Sequence, residues 1–413
     1  MLLHYIDPGT GSMLFAVLIS GITALVFGVR TLFLKMKTFT KKSERKAALT
    51  SSSIPFLIFS DSKRYRNVFE GVIRELDKRG ESVTYWTFDE DDPLLSLNLP
   101  NVKSECIGSG NKAFARLNIA KADIVLSTTP HLDVYQWKRS KSVKEYVHIP
   151  HTVDDLSGYR MFALDHYDTV LITGDNQKRE IEELESIRPL IKRKTIVSVG
   201  SPQFDILEEE YRKNKRVTVN DKPVVLVAPT WGKSGILSVY GGKLLKALQN
   251  TGYEIIVRPH PQSVSSEKNM LDKLMQEFPD IEWNFDNNNF DVQNRSDIMI
   301  TDFSGIIFEY SLVFNKPIIY SSSVFDSSVY DASWMSEEMW SVRKVKMLGT
   351  PLNEDEFDTI KSVIDNNINS QSLASSREEV KNECYVNRGN AVNTICTWLI
   401  DERNSLTTRG AKK

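Results

Sequence analysis

Histidines, cations and hydroxyls recur directly after apolar runs in four short stretches of this chain. They are His148-Ile149-Pro150-His151, Ala228-Pro229-Thr230-Trp231-Gly232-Lys233, Arg258-Pro259-His260-Pro261, and the turn from Asp302 to Gly305. A lone histidine after a strand is usually a satisfied loop residue. Aimed at one cleft, however, these stretches supply the parts of a phosphate site. Arg258 offers a bidentate fork and Lys233 a point charge to a diphosphate. Thr230, Ser304, Gly305 and the backbone N–H groups from Ser304 to Ile306 can complete a cradle. A helix opening at that turn would direct the positive end of its dipole outward, where an anion is favoured. A histidine of near-neutral pKa can take a proton from an attacking hydroxyl. Asp302 serves either as a cap of the turn or as a ligand contact, since Asp caps well.

Other chemistries lack their residues. There is no GxxxxGK[ST] and no GxGxxG, and Gly108-Ser109-Gly110 is too short to count as either. Cys106, Cys384 and Cys396 form no CxxC or Cys/His cluster, so no metal site is visible and no cofactor is called for. Positioned cations and a helix dipole would then stabilise the transition-state charge. A formal net charge of −2 gives no sign of nucleic-acid binding.

The elements that must position these residues read as strands alternating with helices. Residues 296–320 give the unit most plainly: an apolar run at 298–301, a small-residue turn, a helix over 306–314 ended by Asn315-Lys316-Pro317, and a strand at 318–320. Earlier strands fall at 55–59, 82–88, 122–127, 146–149, 169–173 and 195–199, with helices over 65–79 and 180–190. A polar, charged stretch at 213–223 separates these from strands at 224–228, 255–257, 297–301 and 318–320, with helices over 242–249 and 268–278. Such alternation implies mostly parallel sheets covered on both faces, in two α/β domains, 54–212 and 222–400, with ligands at the carboxyl ends of the strands. The tail, 354–403, is helical and can pack back across the first domain.

The front of the chain differs. Residues 13–34 are nearly all apolar, with Arg30 the only charge, long enough to span a bilayer as a transmembrane helix. Lys35, Lys37, Lys41, Lys42, Arg45 and Lys46 follow it against Glu44 alone, and no lysine or arginine precedes it. The positive-inside rule then predicts a membrane anchor over 1–36, a basic, polar linker over 37–53, and the remaining chain on the cytoplasmic side of the inner membrane as a single-pass protein.

The sequence 296–320, SDIMITDFSGIIFEYSLVFNKPIIY, resembles the late motif of the CDP-glycerol glycerophosphotransferases, the teichoic-acid polymerase and primase family. LVAPTWGK, VRPHP and HTVDDLSG (151–158) resemble three more of its motifs, and DTVLITG and VGSPQFDIL (168–174 and 199–207) its intervening skeleton, in the family's order. The resemblance covers roughly 140–400. It implies two facing Rossmann-like domains, the glycosyltransferase-B arrangement, with the nucleotide held mainly by the second. It also implies attack of an acceptor hydroxyl on the β-phosphorus of CDP-glycerol, with CMP leaving. Carried over by motif, His151 is the base, with His148 its rival, and His260 binds or protonates the diphosphate beside Arg258. Ser304 and the helix start hold phosphate, and Glu309 contacts the ribose.

The chain departs from that pattern at several points. Thr152-Val153-Asp154 replaces Gly-Thr-Pro, the acidic Asp154-Asp155 pair stands where a lysine is usual, and Gly232 stands where an arginine is usual, leaving Lys233 to substitute. Residues 325–340 are aromatic-rich where the family has Pro-Gly-Pro. The expected function is transfer of a glycerol phosphate or similar polyol phosphate from a CDP donor to a lipid-linked or surface-glycan acceptor. The alternatives are a nucleotide-sugar glycosyltransferase of the same architecture and a tethered, non-catalytic binding protein.

Overall fold

The computed structural model describes residues 53–411 apart from 189–190, 216–221, 287, 303 and 322–326. The apolar run at 13–34, and with it the expected transmembrane helix, lies outside the described residues. Among the described residues no helix is long and apolar enough to cross a membrane.

Seven strands form the first sheet: β1 (Ile54–Ser60), β2 (Val83–Thr87), β3 (Val102–Cys106), β4 (Ala122–Ser127), β5 (Val143–His148), β6 (Thr169–Ile172) and β7 (Thr195–Ser198). All neighbours are parallel, in the order β3-β2-β1-β4-β5-β6-β7. β8 (Val224–Ala228), β9 (Glu254–Val257), β10 (Glu282–Trp283), β11 (Ile298–Thr301), β12 (Ile318–Ser321) and β13 (Gly349–Leu352) form the second, also parallel, in the order β10-β9-β8-β11-β12-β13. β4, β8 and β11 are buried along their whole length, as continuous apolar runs covered on both faces should be. The strand order reverses between β1 and β4 in one sheet and between β8 and β11 in the other. Crevices outside the carboxyl ends of strands open at such points.

Helices cover the faces through apolar stripes. In Arg66–Lys78 the buried residues Val68, Phe69, Val72, Ile73 and Leu76 recur at helical spacing, and Gly80 at φ +78° ends the element. Both sheets belong to one compact unit, Ile54–Lys413. The chain returns from the second sheet to the first through the helices Gln371–Cys384 and Ala391–Ala411. Ile395, Cys396 and Leu399 join the core formed by Phe56, Val72 and Leu126.

Two glycines permit that return. A Cβ on Gly174 would lie 2.4 Å from Cys384 Cα, and one on Gly200 (φ +88°) would lie 2.4 Å from the Val386 carbonyl oxygen. The Val386 N–H donates to the Thr173 carbonyl at 2.9 Å, and Asp205 accepts from the Gly389 and Ala391 N–H groups and from the Tyr385 hydroxyl.

Candidate active site

The loops after β5 and β11 meet at a cleft of about 330 Å³, with the end of β12 beside them. His151, Asp154, Gly158 and Tyr159 form one wall, Asp302, Ser304, Gly305 and Phe308 another, and Ser341 and Val345 of the helix Trp340–Leu348 close it. The wall carrying His151 is braced from behind by the helix Asp175–Ile187. Asn176 donates to the Val153 carbonyl, Gln177 to the Thr152 and Asp154 carbonyls, and Glu180 accepts from the Leu156 and Ser157 N–H groups. These three polar side chains are buried, and each satisfies backbone that no strand or helix satisfies. The segment after β12 folds over the same wall: Asp331 and Ala332 donate backbone N–H groups to the Tyr159 and Ser157 carbonyls.

His151 stands in the cleft wall with its ring 4.8 Å from that of Tyr65, and its Nδ1 lies 3.4 Å from the Tyr159 hydroxyl. Its other ring nitrogen makes no hydrogen bond among the described residues. Burial, and then the charge of Arg64, lower its pKa to about 4, so the imidazole is neutral and able to accept a proton at pH 7. His148, its rival, is 0% exposed between Tyr159 and Tyr167 and does not line the cleft.

Asp302 is buried and accepts backbone N–H groups from Thr230 at 2.9 Å and Ile236 at 2.8 Å. It therefore clasps the loop after β8 and the start of the helix that follows, rather than capping its own turn, while still lining the cleft. Burial raises its pKa to about 6 against the pull of those N–H groups. Ser304 and Gly305 line the cleft at the start of one α-turn, Ile306–Phe308, which widens into a π-type coil, Glu309–Val313. Glu309 faces Gln293 and Gln203 instead of the cleft.

The remaining expected residues stand outside the cavity lining. His260 caps the helix Pro261–Ser266, accepting the Gln262 N–H on Nδ1 at 3.1 Å. Arg258 holds Asn284 and the Asp286 carbonyl. Lys233 is exposed, and the Thr230 hydroxyl turns to the Trp231 carbonyl at 3.2 Å. Sequence reasoning missed Arg64, which follows β1 at the crossover point of the first sheet. Its charge acts on both His151 and His260, and its Nε contacts the Ser62 hydroxyl at 3.3 Å. The only sequence signal was a basic pair, Lys63-Arg64, directly after a buried strand. Among the described residues no group of His, Cys, Asp and Glu could hold a metal ion.

Two parallel doubly wound sheets in one unit define the glycosyltransferase-B-like class of α/β folds. A model of the family CDP-Glycerol:Poly(glycerophosphate) glycerophosphotransferase matches residues 42–400, and the chain belongs to that family.

Two curated relatives match part of the chain, and two solved structures match its fold. The teichoic acid ribitol-phosphate polymerase TarL of Staphylococcus aureus is 30% identical over 145 residues, 32% of this chain and 25% of that protein. The teichoic acid poly(glycerol phosphate) polymerase of Bacillus spizizenii is 30% identical over 146 residues, 31% of this chain and 35% of that protein. The chain thus matches only about a quarter to a third of the length of these relatives. The wall teichoic acid polymerase TagF superposes with a TM-score of 0.56 at 15% identity, covering 94% of this chain and 98% of that one. The UDP-N-acetylglucosamine 2-epimerase of Rickettsia bellii gives 0.57 at 14% identity, covering 88% and 100%. At such identities both structures speak for the fold alone.

Proposed function

We propose that this chain transfers a glycerol phosphate or similar polyol phosphate from a CDP-activated donor to a hydroxyl of a lipid-linked or surface-glycan acceptor. The observation that carries this reading is the neutral imidazole of His151 in the cleft wall, opposite the Ser304-Gly305 turn. The acceptor oxygen attacks the β-phosphorus, its proton passes to His151, and the bond to the α-phosphate oxygen breaks, so CMP leaves with that electron pair. His260, whose Nδ1 is engaged as a cap, presents its other ring nitrogen to the diphosphate, and Arg64 and Lys233 supply charge. Arg258 braces the loop at Asn284 and Asp286 beside them. Family membership supports the donor class, and the two relatives, named as ribitol-phosphate and poly(glycerol phosphate) polymerases, support a polyol.

The same reading has the catalytic unit tethered on the cytoplasmic face of the membrane. Its support is the apolar run at 13–34 with cations only behind it. His151→Ala and His260→Ala should each lower turnover about a hundredfold or more with an unchanged circular dichroism spectrum. Wild-type rates in both variants would overturn the assignment.

A further inference from the structure

Among the described residues, three carboxyl groups line the cleft, and no lysine or arginine does. Two are already engaged. Asp302 receives the Thr230 and Ile236 N–H groups, and Asp155 receives the Ser341 N–H at 3.0 Å and lies beside Glu180. Asp154 is different. One of its oxygens takes the Thr152 hydroxyl; the other has no hydrogen-bond partner among the described residues and faces Gly305, 3.8 Å from where a Cβ would stand. The cations Arg64, Arg258 and Lys233 all lie outside this lining. A phosphate placed among the three carboxyl groups would meet like charge at short range in a partly desolvated pocket. An uncharged, hydroxyl-rich group would instead find acceptors.

We propose that Asp154 is the residue that receives the polyol end of the donor, so the cleft divides by charge: diphosphate toward Arg64 and His260, polyol against Asp154. This rests on the CDP-polyol reading given above. Burial, and then the charge of Asp155, push the Asp154 carboxyl up to about 7, so near neutral pH it both accepts from and donates to a hydroxyl.

The test is titration calorimetry of the full chain in detergent with CDP-glycerol, CDP-ribitol and CDP. Asp154→Ala should weaken at least one of the two CDP-polyols about tenfold, the scale of one lost hydrogen bond to a charged group, and leave CDP within twofold. Asp154→Asn, which keeps a hydroxyl partner and reports on folding, should stay within about threefold of wild type for all ligands. Equal weakening of CDP and CDP-polyol in Asp154→Ala would make the residue a phosphate contact or a structural one, and overturn the proposal. Unchanged affinity throughout would overturn it too. A wild-type chain that binds none of the three would bring down the donor reading itself and this role with it, a result distinct from loss of the Asp154 effect alone.

Discussion

His148 and His151 are three residues apart, and sequence reasoning treats them as competitors for one task. Burial separates them. His148 is the last residue of β5 and is enclosed by aromatic rings, with neither ring nitrogen hydrogen-bonded among the described residues. Its pKa falls to about 3 through loss of solvation. The unfolded chain, with an ordinary histidine near 6.5, therefore binds this proton first, and stability is lost as pH drops from about 6.5 toward 3. Asp154 and Asp302, raised to about 7 and 6, act with the opposite sign as pH drops, since the folded state holds their protons more tightly. In His148→Phe the loss of stability between pH 6.5 and 4, followed by urea unfolding, should be smaller than in wild type. An equal loss would show that His148 titrates freely.

Arg64 is argued in the same way from its surroundings. Arg64→Ala should weaken CDP-glycerol about tenfold in a direct binding measurement, because a charge-assisted contact to phosphate is removed. Unchanged affinity would place the guanidinium outside the donor site. The residue types of His151 and Ser304 made these two cleft-lining residues legible in sequence, whereas His260, read the same way, stands outside the lining. Arg64 was not legible, because only the strand order brings its loop, with Tyr65, beside His151.

Among the elements, the central strands and the edge strand β7 were legible, and the other three edges were not. β3, β10 and β13 carry the sequences VKSEC, EW and GTPL, too short or too polar for either strand period to show. Charged and short edge strands resist pairing with other chains, which is a physical reason for their weak signal. The helix expected over 242–249 starts six residues earlier, at Ile236, and turns at Gly241, where φ is +50°. The glycines in LITG and VGSP read as motif letters in the sequence, whereas the structure uses them for the close approach of the returning chain. Gly174→Val should destabilise by about 3 kcal/mol or more, since backbone cannot yield to a Cβ as a side-chain tip can. Leu399→Ala, fully buried where the last helix meets the first sheet, should cost about 2–5 kcal/mol. Chemical denaturation measures both, and a change under about 0.5 kcal/mol in either would show that the return segment adds little.

At the scale of the whole molecule, two parallel sheets bring the loops after β5 and β11 to one cleft, and the C-terminal helices tie the second sheet's chain back to the first. On the proposal above, the site divides by charge: carboxyl groups line the cleft, and the cations with His260 stand outside that lining. The most direct measurement of the central claim is release of CMP by the full chain in detergent. It would be offered CDP-glycerol, CDP-ribitol and a panel of nucleotide sugars, with membrane extract as the source of acceptor. CMP appearing only with a CDP-polyol, and only when extract is present, is the result expected of a polyol-phosphate transferase. Turnover of a nucleotide sugar with none from either CDP-polyol would contradict it and make the protein a glycosyltransferase built on the same two sheets.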